Sequence, residues 1–396
     1  MRTMKRVAAV ALSVVVLMTS GVSAKAAVTD VQPAKSSSEA VLKWAKKVGE
    51  PFDEKTYANN TVSKIKLVGN YLYVADDAKH RIMKIDKKDG TILKEQKYCD
   101  ESYIQGYVSS IGYGDGKVYV GYDNGRVQAF DENTLESLWI TDENKNAINS
   151  DFVFTNGKLY FGTTAKTTDW YDNGAPFSYY VVTTSDDDKT KPDEEKTMKK
   201  VVESKTGKFY LKKGVVLGKY IVISDTAGTL TMIDTTNDKV TDTKDIGEAF
   251  SGNITYDEMT GTIYFVAGTN DLYGIKVSAD GKLKDEKKVR LYETGYSSTT
   301  PEVYNGKVYV SGSKGKAFQD KGYMAVADVS SGKYKVNYTV ELSNYSQCEP
   351  TIVKTGENSV RVYFTINDEP GGIYAIEDSK DATSATLETV YEPTGT

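Results

Sequence analysis

The chain has one histidine, two cysteines and three tryptophans in 396 residues. A lone imidazole excludes a His-rich metal centre, and two cysteines exclude a disulfide scaffold or a zinc ribbon. Beyond residue 26, no apolar run approaches the ~20 residues needed to span a bilayer. Basic residues are scattered rather than clustered, so there is no electrostatic footprint for nucleic acid. What is present is an ordinary soluble composition, 27% charged and 39% hydrophobic, with tyrosine unusually frequent at 29. The length fits two or three ordinary domains or one large all-β domain.

Residues 1–26 read as a secretory leader. Arg2, Lys5 and Arg6 precede a 12-residue apolar core, Val7 to Met18, and Ala24-Lys25-Ala26 is a small-x-small cleavage site. No cysteine follows the core, so no lipid anchor is expected there. An uncleaved anchor is the alternative, against which the cleavage site argues. Cleavage removes Arg2, Lys5, Arg6 and Lys25 and no acid, taking the formal net charge from −5 to −9. Such a chain has no electrostatic case for nucleic acid or anionic lipid. A secreted, extracellular bacterial protein is expected, without a transmembrane segment in its mature form and as a monomer.

After a linker at 27–40, one phrase recurs through 41–396: Gly-x-hydrophobic-Tyr-hydrophobic, a short polar turn, then an alternating apolar run that often ends in Asp. Examples are GDGKVYVGYDNGRVQAFD at 114–131 and GTIYFVAGTNDLYGIK at 261–276. The equivalent residues read as Tyr73, Tyr119, Tyr160, Ile221, Tyr264, Tyr309 and Tyr363, with steps of 46, 41, 61, 43, 45 and 54. A period near 45 carrying only β signals predicts an all-β fold, a β-propeller of four-stranded blades. A sandwich does not need seven copies at one period, and a β-helix repeat is much shorter. One blade cannot bury both faces of its sheet, but neighbouring blades bury them together.

The long step holds an insertion at about 163–204. Pro176 to Thr184 reads as a strand. Ser185 to Lys200 carries six acids and five bases, with Met198 its one apolar residue, and reads as a solvated hairpin tip or a partner-docking arm. At the start, Val41–Ala45 resembles the outer-strand segment Leu135–Trp139. Yet Thr386 to Tyr391 already supplies the seventh copy with an outer strand. Either the N-terminal strand lies on the edge of blade seven, or an eighth blade is incomplete in this chain; the strand count leans to the second.

The phrases KVYVGYDNGRVQAFD and GIYAIED, with Trp139 closing an outer strand, resemble the repeats of quinoprotein-dehydrogenase-like (PQQ-like) propellers, over about residues 41–391. That family includes quinone-dependent enzymes and non-catalytic members such as an outer-membrane assembly scaffold. The enzymes resemble one another in an adjacent Cys-Cys pair, a Trp under the quinone and carboxylate and amide ligands for Ca²⁺. Here Cys99 and Cys348 lie far apart, Trp44 and Trp139 read as outer-strand residues, and Trp170 falls in the insertion. No cofactor and no metal are therefore expected.

His80, the one imidazole available to a hydrolytic triad, lies in the turn Asp76-Asp77-Ala78-Lys79-His80. It reads as an exposed loop residue on the face opposite the loops that lead into each blade. Asp186-Asp187-Asp188 lacks calcium-loop spacing. Cys99 and Cys348 sit about two blades apart and are expected to be unpaired. No catalytic residue is assigned. Ligands of propellers usually meet the loops that lead into the inner strands. Those loops hold Tyr107, Ser109, Ser110, Asn149, Asp151, Asn253, Tyr296, Ser298, Thr299, Tyr345, Gln347 and Glu349. Small polar residues with tyrosines suit a protein, peptide or carbohydrate, although the same residues also cap turns and pack between blades. The expectation is a non-catalytic binding platform at the bacterial cell surface; the alternative is a quinone-dependent or carbohydrate-active enzyme using the channel face.

Overall fold

The computed structural model describes residues 34–36, 38–40, 42–46, 48, 62–99, 104, 109–166, 176–186, 195–205, 207–210, 212–250, 252–268, 270–315, 321–367 and 371–392. The leader, Tyr107, Trp170, the charged tip at 187–194 and residues 393–396 lie outside them. The described strands form seven four-stranded antiparallel sheets, each built from four strands consecutive in sequence. This is a seven-bladed β-propeller. The inner strands are Lys66–Val68, Ile111–Gly114, Val153–Thr155, Val215–Leu217, Thr255–Asp257, Glu302–Tyr304 and Thr351–Lys354, and successive ones touch.

Local chemistry explains the hairpins. Asn156-Gly157 and Asn305-Gly306 have φ of 52° and 69°, and 48° and 75°. Two left-handed residues in a row make the turn whose twist matches the strands it joins. The second strands run Tyr-Val or Tyr-Phe, and their side chains alternate between the two neighbouring blades. Six apolar clusters follow, one for each consecutive pair from blades one and two to blades six and seven. The blade-four equivalent of the repeat tyrosines is Val222, not Ile221. Val222 pairs with Val215 as Tyr73 pairs with Lys66, and one step along a strand changes the face.

A polar clasp recurs on these apolar faces. Tyr160 Oη donates to Asp238 Oδ1 of blade four at 2.6 Å, and Lys158 Nζ to the same oxygen at 2.8 Å. Tyr309 Oη and Lys307 Nζ donate to Asp378 Oδ2 of blade seven at 2.7 and 3.0 Å, and Tyr338 Oη donates to Oδ1 at 2.6 Å. Between blades one and two, Tyr73 Oη and Lys84 Nζ donate to the Glu132 carbonyl at 2.6 and 2.9 Å. Each clasp carries a cation and a phenol to the turn or strand end after the next blade's third strand.

The seam between blades seven and one is different. Among the described residues no apolar cluster spans it. Ala34, Lys35, Trp44 and Val48 bridge it instead. Tyr363 Oη donates to the Ala34 carbonyl and Arg361 Nη2 to the Lys35 carbonyl, each at 3.0 Å. On the other side, Trp44 Nε1 donates to the Lys87 carbonyl at 2.8 Å, and Trp44 and Val48 pack on Val74, Met83 and Ile85. The Trp44 ring lies so close to Gly90 that a Cβ there would come within 2.6 Å of Cε3; Tyr220 of blade four sits over Gly281 of blade five at the same 2.6 Å. The segment therefore acts as the next blade toward blade seven and as the preceding blade toward blade one. Residues 42–46 form no strand, so neither an outer strand at 41–45 nor its addition to the edge of blade seven is seen. The backbone instead runs across the seam, where its carbonyls serve as acceptors.

The insertion is anchored at its base. Lys196 is buried, donates to the Thr183 carbonyl at 2.7 Å and lies 4.7 Å from the Trp139 ring centroid, while Thr141 of blade two pairs with it. Cys99 packs in the blade one–two core and Cys348 in the blade six–seven core; among the described residues no disulfide joins them.

Asp378→Ala will leave the buried Lys307 ammonium without its carboxylate and should cost about 3 kcal/mol, read by urea unfolding. Trp44→Ala should cost about 1–2 kcal/mol through lost apolar burial and should speed proteolysis near residue 40 before any other site.

Candidate functional site

The face into which the inner strands open carries one polar residue per blade at an equivalent place. It lies two positions before the inner-strand residue that pairs with the repeat tyrosine or with Val222. Read around the ring, these residues are Lys64, Ser110, Asp151, Lys213, Asn253, Thr300 and Glu349. Side chains link neighbours. Ser110 Oγ donates to Asp151 Oδ1, and Lys64 Nζ donates to the same oxygen at 3.1 Å. The Lys213 N–H donates to Asn253 Oδ1 at 3.2 Å, and Asn253 Nδ2 to Thr300 Oγ1 at 3.1 Å.

The residues expected at this face divide into two groups. Ser110, Asp151, Asn253 and Glu349 belong to the ring. Gln347 is exposed beside it, donating through Nε2 to Ser298 Oγ at 3.4 Å. Others hold the loops in shape. Asn149 is buried and donates to Asp123 Oδ1 at 3.2 Å, while Ser109 donates to Asn149 Oδ1 at 3.3 Å. Thr299 is buried and donates to the Ser311 carbonyl at 3.0 Å. Tyr296 exchanges backbone hydrogen bonds with Ser313, and the Tyr345 hydroxyl accepts from Asn367 Nδ2. Tyr107 lies outside the described residues. Sequence reasoning missed Lys64, Lys213 and Thr300 of the ring and Glu302 beside it. Counting two residues back from each inner strand would have found three of them.

His80 is exposed in its turn, with Tyr98 edge-on at 6.2 Å. Its place differs from the expectation. Val62, just ahead of the first inner strand, bridges Asp76, so the second-to-third strand turn lies at the same end of the blade as the loop leading into it. Antiparallel alternation requires this: a chain that runs down the first strand and up the second returns to the end it started from. The same end holds buried carboxylates that fix loops. Asp77 accepts from the Ile104 N–H at 3.0 Å, and burial pushes its carboxyl up to about 6. Asp225 accepts from three successive N–H groups of its own turn.

Glu302 opens the blade-six inner strand and is 3% exposed. Burial, then a hydrogen bond with Glu349 and the charge of that neighbour, push its carboxyl up to about 9. It is a neutral acid at pH 7, paired with an exposed carboxylate. Among the described residues Glu302 Oε2 has no hydrogen-bond partner.

Among the described residues, from which Trp170 is missing, none is placed to stack a quinone on tryptophan above Ca²⁺. Trp139 is wedged between blades two and three and Trp44 covers the seam. Among the described residues no three carboxylates, cysteines or histidines converge.

No protein-family model and no curated protein sequence matches the chain. Solved structures do. A europium-containing methanol dehydrogenase matches with a TM-score of 0.52 at 11% identity, over 76% of this chain and 73% of that one. The quinohemoprotein alcohol dehydrogenase of Comamonas testosteroni gives 0.51 at 12%, over 84% and 68%. BamB of Moraxella catarrhalis gives 0.42 at 12%, over 62% and 68%. At such identities the likeness establishes the propeller fold alone.

Because Glu302 keeps its proton in the folded state while an unfolded chain loses it at an ordinary carboxylate value, stability should fall as pH rises from about 5 to about 9. Glu302→Gln should flatten that fall, measured as Tm against pH.

Proposed function

We propose that this chain is a secreted, non-catalytic binding platform of the bacterial cell surface, whose channel face meets a protein, peptide or carbohydrate. The observation that carries the reading is the ring of linked polar side chains. Six of its seven members hold one another in two linked trios, Lys64–Asp151–Ser110 and Lys213–Asn253–Thr300, while Gln347, Lys64 and Glu349 stay exposed, as preorganised recognition requires. The leader and its cleavage site support export. Among the described residues no helix is long and apolar enough to cross a membrane.

The carbohydrate-active alternative would rest on Glu302 and Glu349. A neutral acid beside an ionised one has the right protonation. Glycoside cleavage, however, needs both carboxyl groups open to a sugar held between them, and Glu302 is 3% exposed. That burial favours binding.

Arrays of cell-wall glycans and secreted peptides, probed with the intact protein, should give a ligand whose retention falls about tenfold in Gln347→Ala. Turnover on a sugar panel that Glu349→Gln abolishes would overturn the reading.

A further inference from the structure

The bridge covers only part of the seam between blades seven and one. Leu67 of the first inner strand pairs with Leu72, which packs in the seam cluster, whereas Lys66 pairs with Tyr73 on the blade-two side. Alternation therefore aims Ile65 and Leu67 across the seam. They are 63% and 56% exposed. In the other blades the residue equivalent to Ile65 is Ile111, Phe152, Gly214, Ile254, Pro301 or Pro350, each one position before the partner of the repeat tyrosine or of Val222. All six are buried, and Ile111, Phe152 and Ile254 pack in the core shared with the preceding blade.

The facing wall is equally bare. On blade seven Tyr363 faces the seam, and its cross-strand partner Thr351 shares that face, as does the pair Thr365–Ile373 two residues on. Thr351, Thr365 and Ile373 are all exposed. The groove between these walls opens at the channel face, because Ile65 follows Lys64 and Thr351 lies two residues after Glu349, both members of the ring. Toward the opposite face the same seam is filled. There Ala34 and Lys35 lie against Tyr363 and Arg361 as a single stretch of backbone that joins no sheet. The groove is thus continuous with a slot that already holds one thickness of chain.

We propose that this groove binds one extended polypeptide segment of a partner protein. Its aliphatic side chains at positions i and i+2 meet Ile65, Leu67 and Ile373, and its backbone meets the Thr351 and Thr365 hydroxyls. Alternate side chains on one face of a strand recur at about 7 Å, the spacing that Ile65 and Leu67 themselves present. A helix is about 10 Å across with its side chains and does not suit a slot one chain thick. A second copy of this chain would need to bury about 1,200 Å² for a stable contact, and three aliphatic side chains are too few for that. The two hydroxyls give the entering backbone partners that burial would otherwise deny it. Exposed aliphatic side chains gathered at one seam mark a place of interaction. The inference goes beyond the channel-face reading, and either can fail without the other.

Fluorescence anisotropy of the full protein with a labelled peptide, Gly-Ser-Val-Thr-Val-Ser-Gly, tests this beside an isomer whose two valines are adjacent. The alternating peptide should bind saturably, and the isomer about tenfold more weakly. Ile65→Ser and Leu67→Ser should each weaken the alternating peptide about tenfold, with Tm unchanged because neither side chain is buried. Val240→Ser, at another exposed aliphatic residue on the outer strand of blade four, should leave binding unchanged. No saturable binding, equal binding of the isomer, or affinity unchanged in both seam variants would overturn the proposal. A Tm lowered by Ile65→Ser would show that another part of this chain fills the groove, and a dimer in sedimentation that Ile65→Ser dissolves would assign it to a second copy; either result ends the proposal. Peptide binding kept by both seam variants and lost in Gln347→Ala would place the peptide on the ring, so the platform would stand and the groove would fall.

Discussion

A sheet with two apolar faces is stable only when both are covered, and everything here follows from how each blade covers the next. Dispersion and the hydrophobic effect supply the bulk of the stabilisation through six interblade clusters. Apolar contact alone does not fix registration, because one flat apolar face slides easily over another. The clasp supplies that precision. Lys158 and Tyr160 on Asp238, and Lys307 and Tyr309 on Asp378, each pin the start of a second strand to the far end of the next blade's third strand. Being charge-assisted and buried, these bonds are strong and geometrically selective, and they leave the blade-leading loops at a constant height around the axis.

Constant height is what produces the polar ring. Because the inner strands are held in register, Ser110 reaches Asp151 and Asn253 reaches both Thr300 and the Lys213 backbone. The loops are then secured from behind by buried residues at the same end of the blades, Asp77, Asp123 and Asp225 among them. A face assembled this way changes its chemistry by substitution at seven positions without disturbing the cores, which is how one fold carries unrelated functions.

The blade count, the alternation and the hairpins were legible in the sequence because they depend on local periods and on Asn-Gly pairs. The clasp was partly legible: KLY at 158–160 and KVY at 307–309 show the donors, but their acceptors lie some 70 to 80 residues away and no local pattern marks them. Ile221 was misread because in GKYIVI the equivalent position falls four residues after the glycine, not three as in GKVY at 306–309, and only the pairing of Val215 with Val222 reveals it. His80 was put at the wrong end for want of following the chain through an even number of strands.

The bridge at residues 34–48 has a consequence for how the molecule comes into being. Its carbonyl at Lys35 waits for Arg361, 326 residues further along the chain. Trp44 and Val48 can cover the flank of blade one early, but during synthesis or export from the amino end the carbonyls of Ala34 and Lys35 must remain unmated until the last blade arrives. The loop to be closed is nearly the whole polypeptide, and only its completion converts a curved row of sheets into a wheel. A chain halted anywhere before blade seven would thus present an open, sticky flank, which makes the last blade, from Thr351 to Tyr391, a checkpoint for assembly.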